Sequence, residues 1–330
     1  MEVQSRAEGV KVKLFDRLLK RRGGLKTPLG PAASSRPVDQ ELVDDTFLSR
    51  LRKVTLVSRR RLTTGLTGEH AGPRRANALE FADYRSYTPG DDFRRVDWNA
   101  YLRLDHLMVK LSDAPERLTL HLLVDTSRSM AWGHPDKFGY TRRVAAGLAF
   151  VALSHMDSAS LLVLNGQECV RLARLESTGS AARMVRAINA LQPGGTTNLD
   201  AALAAYTAQG SHRGVAVLIS DLLSPDGFQL GLERLSRSAL RPVVIHVLSP
   251  EEMNPSLEGD LELQDVETGE ALQVSIDSTT LRRYRRWLRE WLEEVEGFCS
   301  RRGITYLRVE TSQPVERLLL DRLRREKVLR

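Results

Sequence analysis

Leu122-Leu123-Val124-Asp125-Thr126-Ser127-Arg128-Ser129 is the stretch on which the reading of this chain turns. Three apolar residues run into a carboxylate, then two hydroxyls follow at alternate positions. Short apolar runs bounded by turn residues read as buried strands, so Leu118–Val124 is expected to be a strand ending at Asp125. In an open parallel sheet, loops at the carboxyl ends of strands diverge and bind ligands. An Asp-x-Ser-x-Ser loop there can turn three oxygens toward one point, which suits a hard cation such as Mg²⁺. Alone the string is weak, because a polar strand-to-helix turn would look the same.

Working outward, strand and helix alternate. Helices are expected over 138–156, 180–191, 198–209 and 227–238, and strands over 159–164, 169–175, 215–220 and 243–248. Such alternation implies an α/β fold, a doubly wound, mainly parallel sheet with helices on both faces. Residues 261–276 read as a β-hairpin insert turning at Glu267-Thr268-Gly269-Glu270. A long amphipathic helix over 278–299, a strand over 304–309 and a helix over 315–327 complete the chain. Arg residues fill the first half of the long helix and Glu residues the second, against the helix dipole. This pattern reads as a solvated face or as a basic patch for an anion or partner.

Two further segments strengthen the loop. Gly194-Gly195-Thr196-Thr197-Asn198 opens a helix with a sharp turn and a hydroxyl, and Ser220-Asp221 ends the strand over 215–219. The set Asp125, Ser127, Ser129, Thr196 and Asp221 resembles the metal-ion-dependent adhesion site of von Willebrand factor A domains. The resemblance runs from Leu118 to the C-terminus. It implies that the two serines and the threonine touch the metal, that the aspartates act directly or through water, and that one position stays open for an acidic group of a partner. The implied cofactor is a divalent cation, Mg²⁺ first, with Mn²⁺ or Ca²⁺ as alternatives.

The N-terminal part is organised differently. Residues 1–39 read as a basic segment followed by a Gly/Pro/Ser-rich linker. Within it, Val12, Leu14, Phe15, Leu18 and Leu19 stand beside Lys and Arg at near-helical spacing. This segment either contacts a membrane surface peripherally or packs on its own domain. Residues 40–116 hold a helix over 40–58, an irregular or β extension, and a strand around 107–111. The third unit, 117–330, is the α/β domain with its hairpin near 260–276.

Residues 84–99, Tyr-Arg-Ser-Tyr-Thr-Pro-Gly-Asp-Asp-Phe-Arg-Arg-Val-Asp-Trp-Asn, resemble the signature of the bacterial "domain of unknown function 58" family, and Arg103 continues it. The resemblance implies a partner of the MoxR-type AAA+ ATPase class and a chaperone-like or assembly role. Pro89-Gly90 favours a tight turn. Asp91, Asp92, Arg94 and Asp97 read either as a salt-bridge lock, with Trp98 as its buried anchor, or as a partner surface.

Composition excludes other classes. Lys plus Arg is 49 against 42 for Asp plus Glu, a net charge of +7 spread through Arg pairs without an aromatic stripe, so specific nucleic-acid binding is not expected. No apolar stretch approaches the ~20 residues of a membrane span, the N-terminus lacks a signal core, and the two cysteines form no metal or redox spacing. A cytoplasmic protein is expected, with peripheral contact at the inner membrane through the N-terminal segment as the variant reading. Walker A, H-E-x-x-H and G-x-S-x-G motifs are missing, and Ser127 stands where a haloacid dehalogenase pattern wants its second Asp. A binding or adaptor module is therefore expected rather than an enzyme. The alternative is a metal-dependent phosphoesterase at the same site, which would need a general base beside the metal.

Overall fold

A computed structural model of the chain describes residues 49–52, 54–56, 83–89, 91, 93, 96–111, 118–176, 178–210, 213–257, 259–264 and 271–330. Two compact units emerge, one formed by Met1–Arg59 with Leu118–Arg330, the other by Arg60–Arg117.

In the smaller unit, β1 (Asp83–Ser86) pairs antiparallel with β2 (Met108–Leu111), and α1 (Trp98–Leu104) lies between them in sequence. Asp97 starts α1 as its N-cap, accepting from the backbone N–H groups of Asn99 and Ala100 at 2.9 and 3.2 Å. This helix was not expected from the dense charge of its surroundings; the Asp97 cap was its one signal.

The larger unit runs β3 (Thr119–Asp125), α2 (Lys137–Ser154), β4 (Ser158–Asn165), β5 (Glu168–Leu175), α3 (Ala181–Asn189), α4 (Leu199–Ala208), β6 (Gly214–Ser220), α5 (Gln229–Arg237), β7 (Leu240–Leu248), α6 (Pro250–Met253), β8 (Gly259–Gln264), β9 (Ala271–Ile276), α7 (Ser278–Arg301) and β10 (Thr305–Glu310). Six strands form one sheet in the order β10-β7-β6-β3-β4-β5, with only β5 antiparallel to its neighbour. The hairpin β8–β9 forms apart from it, as expected. The last helical segment departs from the expected single α-helix: Arg317–Arg322 is a π-helix, continued by Leu323–Arg325.

Strand alternation divides the core. Leu120, Leu122 and Val124 face one layer with Val144, Leu148 and Ile188, while Leu123 faces the other with Leu203, Tyr206 and Leu232. Both faces are thus covered, which is why β3, β6 and β7 read as continuous apolar runs. Connections from β3 and β6 leave in opposite directions, to β4 on one side and β7 on the other. The adjacent ends of β3 and β6 are therefore the switch point of the sheet, the place where open α/β sheets commonly bind ligands.

The segment after residue 48 corrects the expected boundary. Ser49–Leu51 are helical, but the helix does not continue to Ser58: Leu56 bridges Leu329, and Thr55 exchanges backbone hydrogen bonds with Arg330 at 3.0 and 2.8 Å. Leu51, Val54 and Leu56 are buried in the α/β core, so this stretch belongs with 118–330 rather than with the signature region. Apolar burial outweighed sequence proximity. The expected basic helix within residues 1–39 lies outside the described residues, and among the described residues no helix is long and apolar enough to cross a membrane.

Leu51→Ala should therefore lower the stability of the larger unit in urea unfolding by about 2–5 kcal/mol. Leu102→Ala, at a side chain 81% exposed, should stay within about 0.5 kcal/mol of the parent. Equal, small effects would place Leu51 outside the core.

Candidate metal centre

Asp125 is the last residue of β3 and fully buried. Beside it, across the parallel register of Val124 with Ile219, lies Ser220, whose hydroxyl donates to Asp125 Oδ2 at 2.6 Å. Asp125 Oδ1 accepts from the Ser127 N–H at 2.9 Å and from Thr197 Oγ1 at 3.4 Å. The hydroxyls of Ser127 and Ser129 stand 2.9 Å apart. The loop is pinned from outside, because Thr126 O accepts from Gly194 N–H at 2.6 Å and Arg128 N–H donates to Gly195 O at 3.3 Å. Gly195 has φ +77°, and a Cβ there would collide with the Asn165 side chain, so this turn requires glycine.

The structure corrects one assignment. Thr196 is exposed, and its carbonyl accepts from Gly166 N–H at 2.8 Å. Its neighbour Thr197 is buried and turns its hydroxyl to Asp125. The cause is the start of α4: Asn198 is the N-cap, accepting from Ala201 N–H at 2.9 Å, and this fixes Thr197 as the residue directed inward. Asp125, Ser127, Ser129 and Asp221 are all buried at the switch point.

Asp221 follows β6 and is held on every side. Its Oδ1 accepts from Leu223 N–H at 3.0 Å, and its Oδ2 accepts from Lys137 Nζ at 2.7 Å. Its carbonyl accepts from His246 Nε2 at 2.9 Å, while His246 Nδ1 meets the Tyr306 hydroxyl at 2.7 Å. A carbonyl only accepts, so Nε2 carries the proton and Nδ1 is the acceptor. Burial pushes the His246 imidazole down to about 3, which keeps it neutral.

Lys137 was missed by the sequence reading. It lies in the first turn of α2, behind the Asp136 cap, and its ammonium also reaches Glu252 Oε1 at 2.6 Å. Glu252 in turn accepts from Ser249 N–H through Oε2 at 2.8 Å, closing the capping box of α6. Burial acts to lower the Lys137 ammonium, but Asp221 and Glu252 outweigh it and hold the group above its ordinary value. Burial would raise Asp221, yet Lys137 pulls it below the usual carboxylate range. Burial raises Glu252 in spite of Lys137. Among the described residues Asp125 has no such cation. Burial, then the charge of Asp221, push it up to about 6.

The side chains that meet at Asp125 offer oxygens, the chemistry Mg²⁺ and Mn²⁺ prefer, and a cation would relieve the buried charge of Asp125. Among the described residues no three His, Cys, Asp or Glu side chains gather as a ready metal cluster. A metal here would thus depend on the hydroxyls of Ser127, Ser129 and Thr197.

Among the described signature residues, Trp98 departs from expectation. Asp91 Oδ2 accepts from the N–H and hydroxyl of Thr88 at 2.9 and 3.0 Å, and Asp91 N–H donates to Thr88 O at 3.1 Å, closing a turn that includes the exposed Pro89. Trp98 is 56% exposed and is not a buried anchor. It meets Tyr101 edge-on, beside the exposed Leu102 and Arg103. As first residue of a helix with no buried residue, Trp98 points outward. Gly90, Asp92 and Arg94 lie outside the described residues.

The sheet order, the helices on both faces and the loops at the β3/β6 switch point define a von Willebrand factor A-like α/β domain. The chain belongs to the family described as "Protein of unknown function DUF58", whose model matches residues 83–291. Uncharacterized proteins of Mycobacterium tuberculosis and Mycobacterium bovis are each 29% identical to it over 242 residues, covering 72% of this chain and 76% of theirs. Among solved structures, it is similar to the BatB protein from Bacteroides thetaiotaomicron (TM-score 0.40, 13% identity, 63% of this chain and 98% of that one). The SpRpn10 VWA domain aligns with TM-score 0.37 and 10% identity, over 62% of this chain and 95% of that one.

The raised Asp125 sets a stability-versus-pH expectation for metal-free protein. Its folded value of about 6 exceeds the ordinary carboxylate value of 3.8, so folding favours the protonated form and stability falls as pH rises between them. By that gap the wild type should lose roughly 3 kcal/mol relative to Asp125→Asn from pH 4 to 7. Chelator-treated samples unfolded in urea across that range check it; a flat difference would contradict the assignment.

Proposed function

We propose that this chain is a metal-ion-dependent protein-binding module, with an acidic side chain of the partner completing the coordination of a divalent cation. The observation that carries this reading is the convergence of Asp125, Ser127, Ser129 and Thr197 at the sheet's switch point, with Asp221 behind them. Asp125 with the three hydroxyls would hold the ion, most naturally Mg²⁺. Asp221, with both oxygens already engaged, would act through water. When bound, the ion supplies a hard positive centre that prefers an anionic oxygen ligand. Arg128, exposed in the middle of the Asp125–Ser129 loop, would add to the attraction for an acidic partner.

The partner class suggested by the family resemblance is a MoxR-type AAA+ ATPase, in a chaperone-like or assembly role. A phosphoesterase reading needs a general base at the metal. The imidazole nearest Asp221, His246, is buried with both nitrogens engaged and held neutral, which favours the binding reading.

Calorimetric titration with Mg²⁺ and Mn²⁺ tests the site. Asp125→Ala, Ser127→Ala and Thr197→Ala should each weaken binding by about tenfold or more, with circular dichroism unchanged, whereas Thr196→Ala should bind like wild type. Affinity capture with and without chelator, read by mass spectrometry, tests the function: an AAA+ ATPase retained only with metal is the expected result. Equal capture in both conditions would contradict metal dependence.

A further inference from the structure

Lys137, at the start of α2, joins the loop after β6 and the helix α6 through one buried ammonium, with Asp221 at 2.7 Å and Glu252 at 2.6 Å, all three side chains at most 3% exposed. Stability alone gives a poor reason for such an arrangement. Desolvating three charges is expensive, and an apolar replacement of similar volume often serves as well or better. The charge count gives a better one. Asp125, Asp221 and Glu252 bring three carboxylates, and Lys137 brings one ammonium. When all are ionised, two negative charges remain, and one divalent cation neutralises them.

Lys137 also decides which oxygens a metal can reach. It occupies Asp221 Oδ2, while Leu223 N–H occupies Oδ1. Glu252 is held between Lys137 and Ser249 N–H. Among the described residues, Asp125 is the one of the three carboxylates without a cation of its own; it is bonded to hydroxyls and one backbone N–H.

We propose that Lys137 is a positioning residue of the metal centre, a fixed internal counter-cation that withholds Asp221 and Glu252 from the ion, limits it to one direct carboxylate and so tunes its affinity. This inference rests on the metal-binding reading above. An ion held by one carboxylate and neutral hydroxyls keeps most of its positive charge, and it has more to gain from a partner's carboxylate than an ion already surrounded by acids. Affinity at oxygen sites rises with the number of ligand charges, so changing the internal charge should change metal binding in a set order.

Lys137→Met leaves three negative charges, Glu252→Gln leaves one, and Lys137→Met combined with Glu252→Met restores two. Mn²⁺ affinity of the purified full chain, from calorimetry and electron paramagnetic resonance, is measured with the metal-induced shift in melting temperature. Lys137→Met should bind Mn²⁺ about tenfold or more tightly than wild type and show the larger thermal shift. Glu252→Gln should bind about tenfold more weakly, and the double variant should lie within about threefold of wild type. Should Lys137→Met fail to fold without metal, the double variant against Glu252→Gln still reads the charge effect. Equal affinity in all folded variants would overturn the role of Lys137 while leaving the metal site intact. No Mn²⁺ binding by wild type with clear binding by Lys137→Met would overturn the metal-binding reading, yet support Lys137 as the resident cation. No binding by any variant would overturn both.

Discussion

Two carboxylates, Asp125 and Asp221, are buried at the ends of adjacent parallel strands, where the sheet changes direction. Like charges brought together out of water repel and raise one another's proton affinity. The surroundings settle this conflict unequally. Asp221 receives an ammonium and a backbone N–H; Asp125 receives two hydroxyls and a backbone N–H. One carboxylate is therefore paired with a cation, while the other is met by neutral donors. The sheet imposes the closeness, and the loops after β3, β6 and β7 decide how it is relieved.

That division explains why the second layer around the site is built so completely. His246 holds the Asp221 carbonyl and is itself held by Tyr306 on the edge strand β10. Glu252 is fixed by the capping box of α6, and Lys137 by the start of α2. Asp221 is thus held directly by Lys137 from α2 and His246 from β7, and Lys137 is held in turn by Glu252 from α6. Ligands positioned by such outer partners keep their orientation when an ion arrives or leaves. If the proposed metal-dependent contact forms on this surface, the ion itself would govern it, with little rearrangement of the domain beneath it.

The sheet was largely legible in the sequence because β3, β6 and β7 are buried on both faces and carry unbroken apolar runs, while the helices carry clear faces and caps. The site was legible where chemistry and order suffice, as with Asp125, Ser127, Ser129 and Asp221. It was not legible at Thr196-Thr197, where two identical residues adjoin and only the exact start of α4 tells which turns inward. Lys137 and Glu252 carried no motif; a lysine beside Phe138 and a glutamate in a short capped turn look like surface until the sheet brings them together. Trp98 was misread for the opposite reason. Aromatic residues are usually covered, but this one begins a seven-residue helix with no buried face. Leu51, Val54 and Leu56 gave no hint that their partner is the C-terminal segment, because that pairing spans nearly the whole chain.

On the proposed reading, Asp125 and three hydroxyls would hold a divalent ion, with Asp221 kept one step away by Lys137. The direct measurement is the anomalous difference density of a crystal grown with Mn²⁺. The expected result is a single strong peak in direct contact with oxygens of Asp125, Ser127, Ser129 and Thr197, with Lys137 still bound to Asp221 and Glu252. A peak bound directly by Asp221 and Glu252 with Lys137 displaced, or no peak at the end of β3, would contradict it.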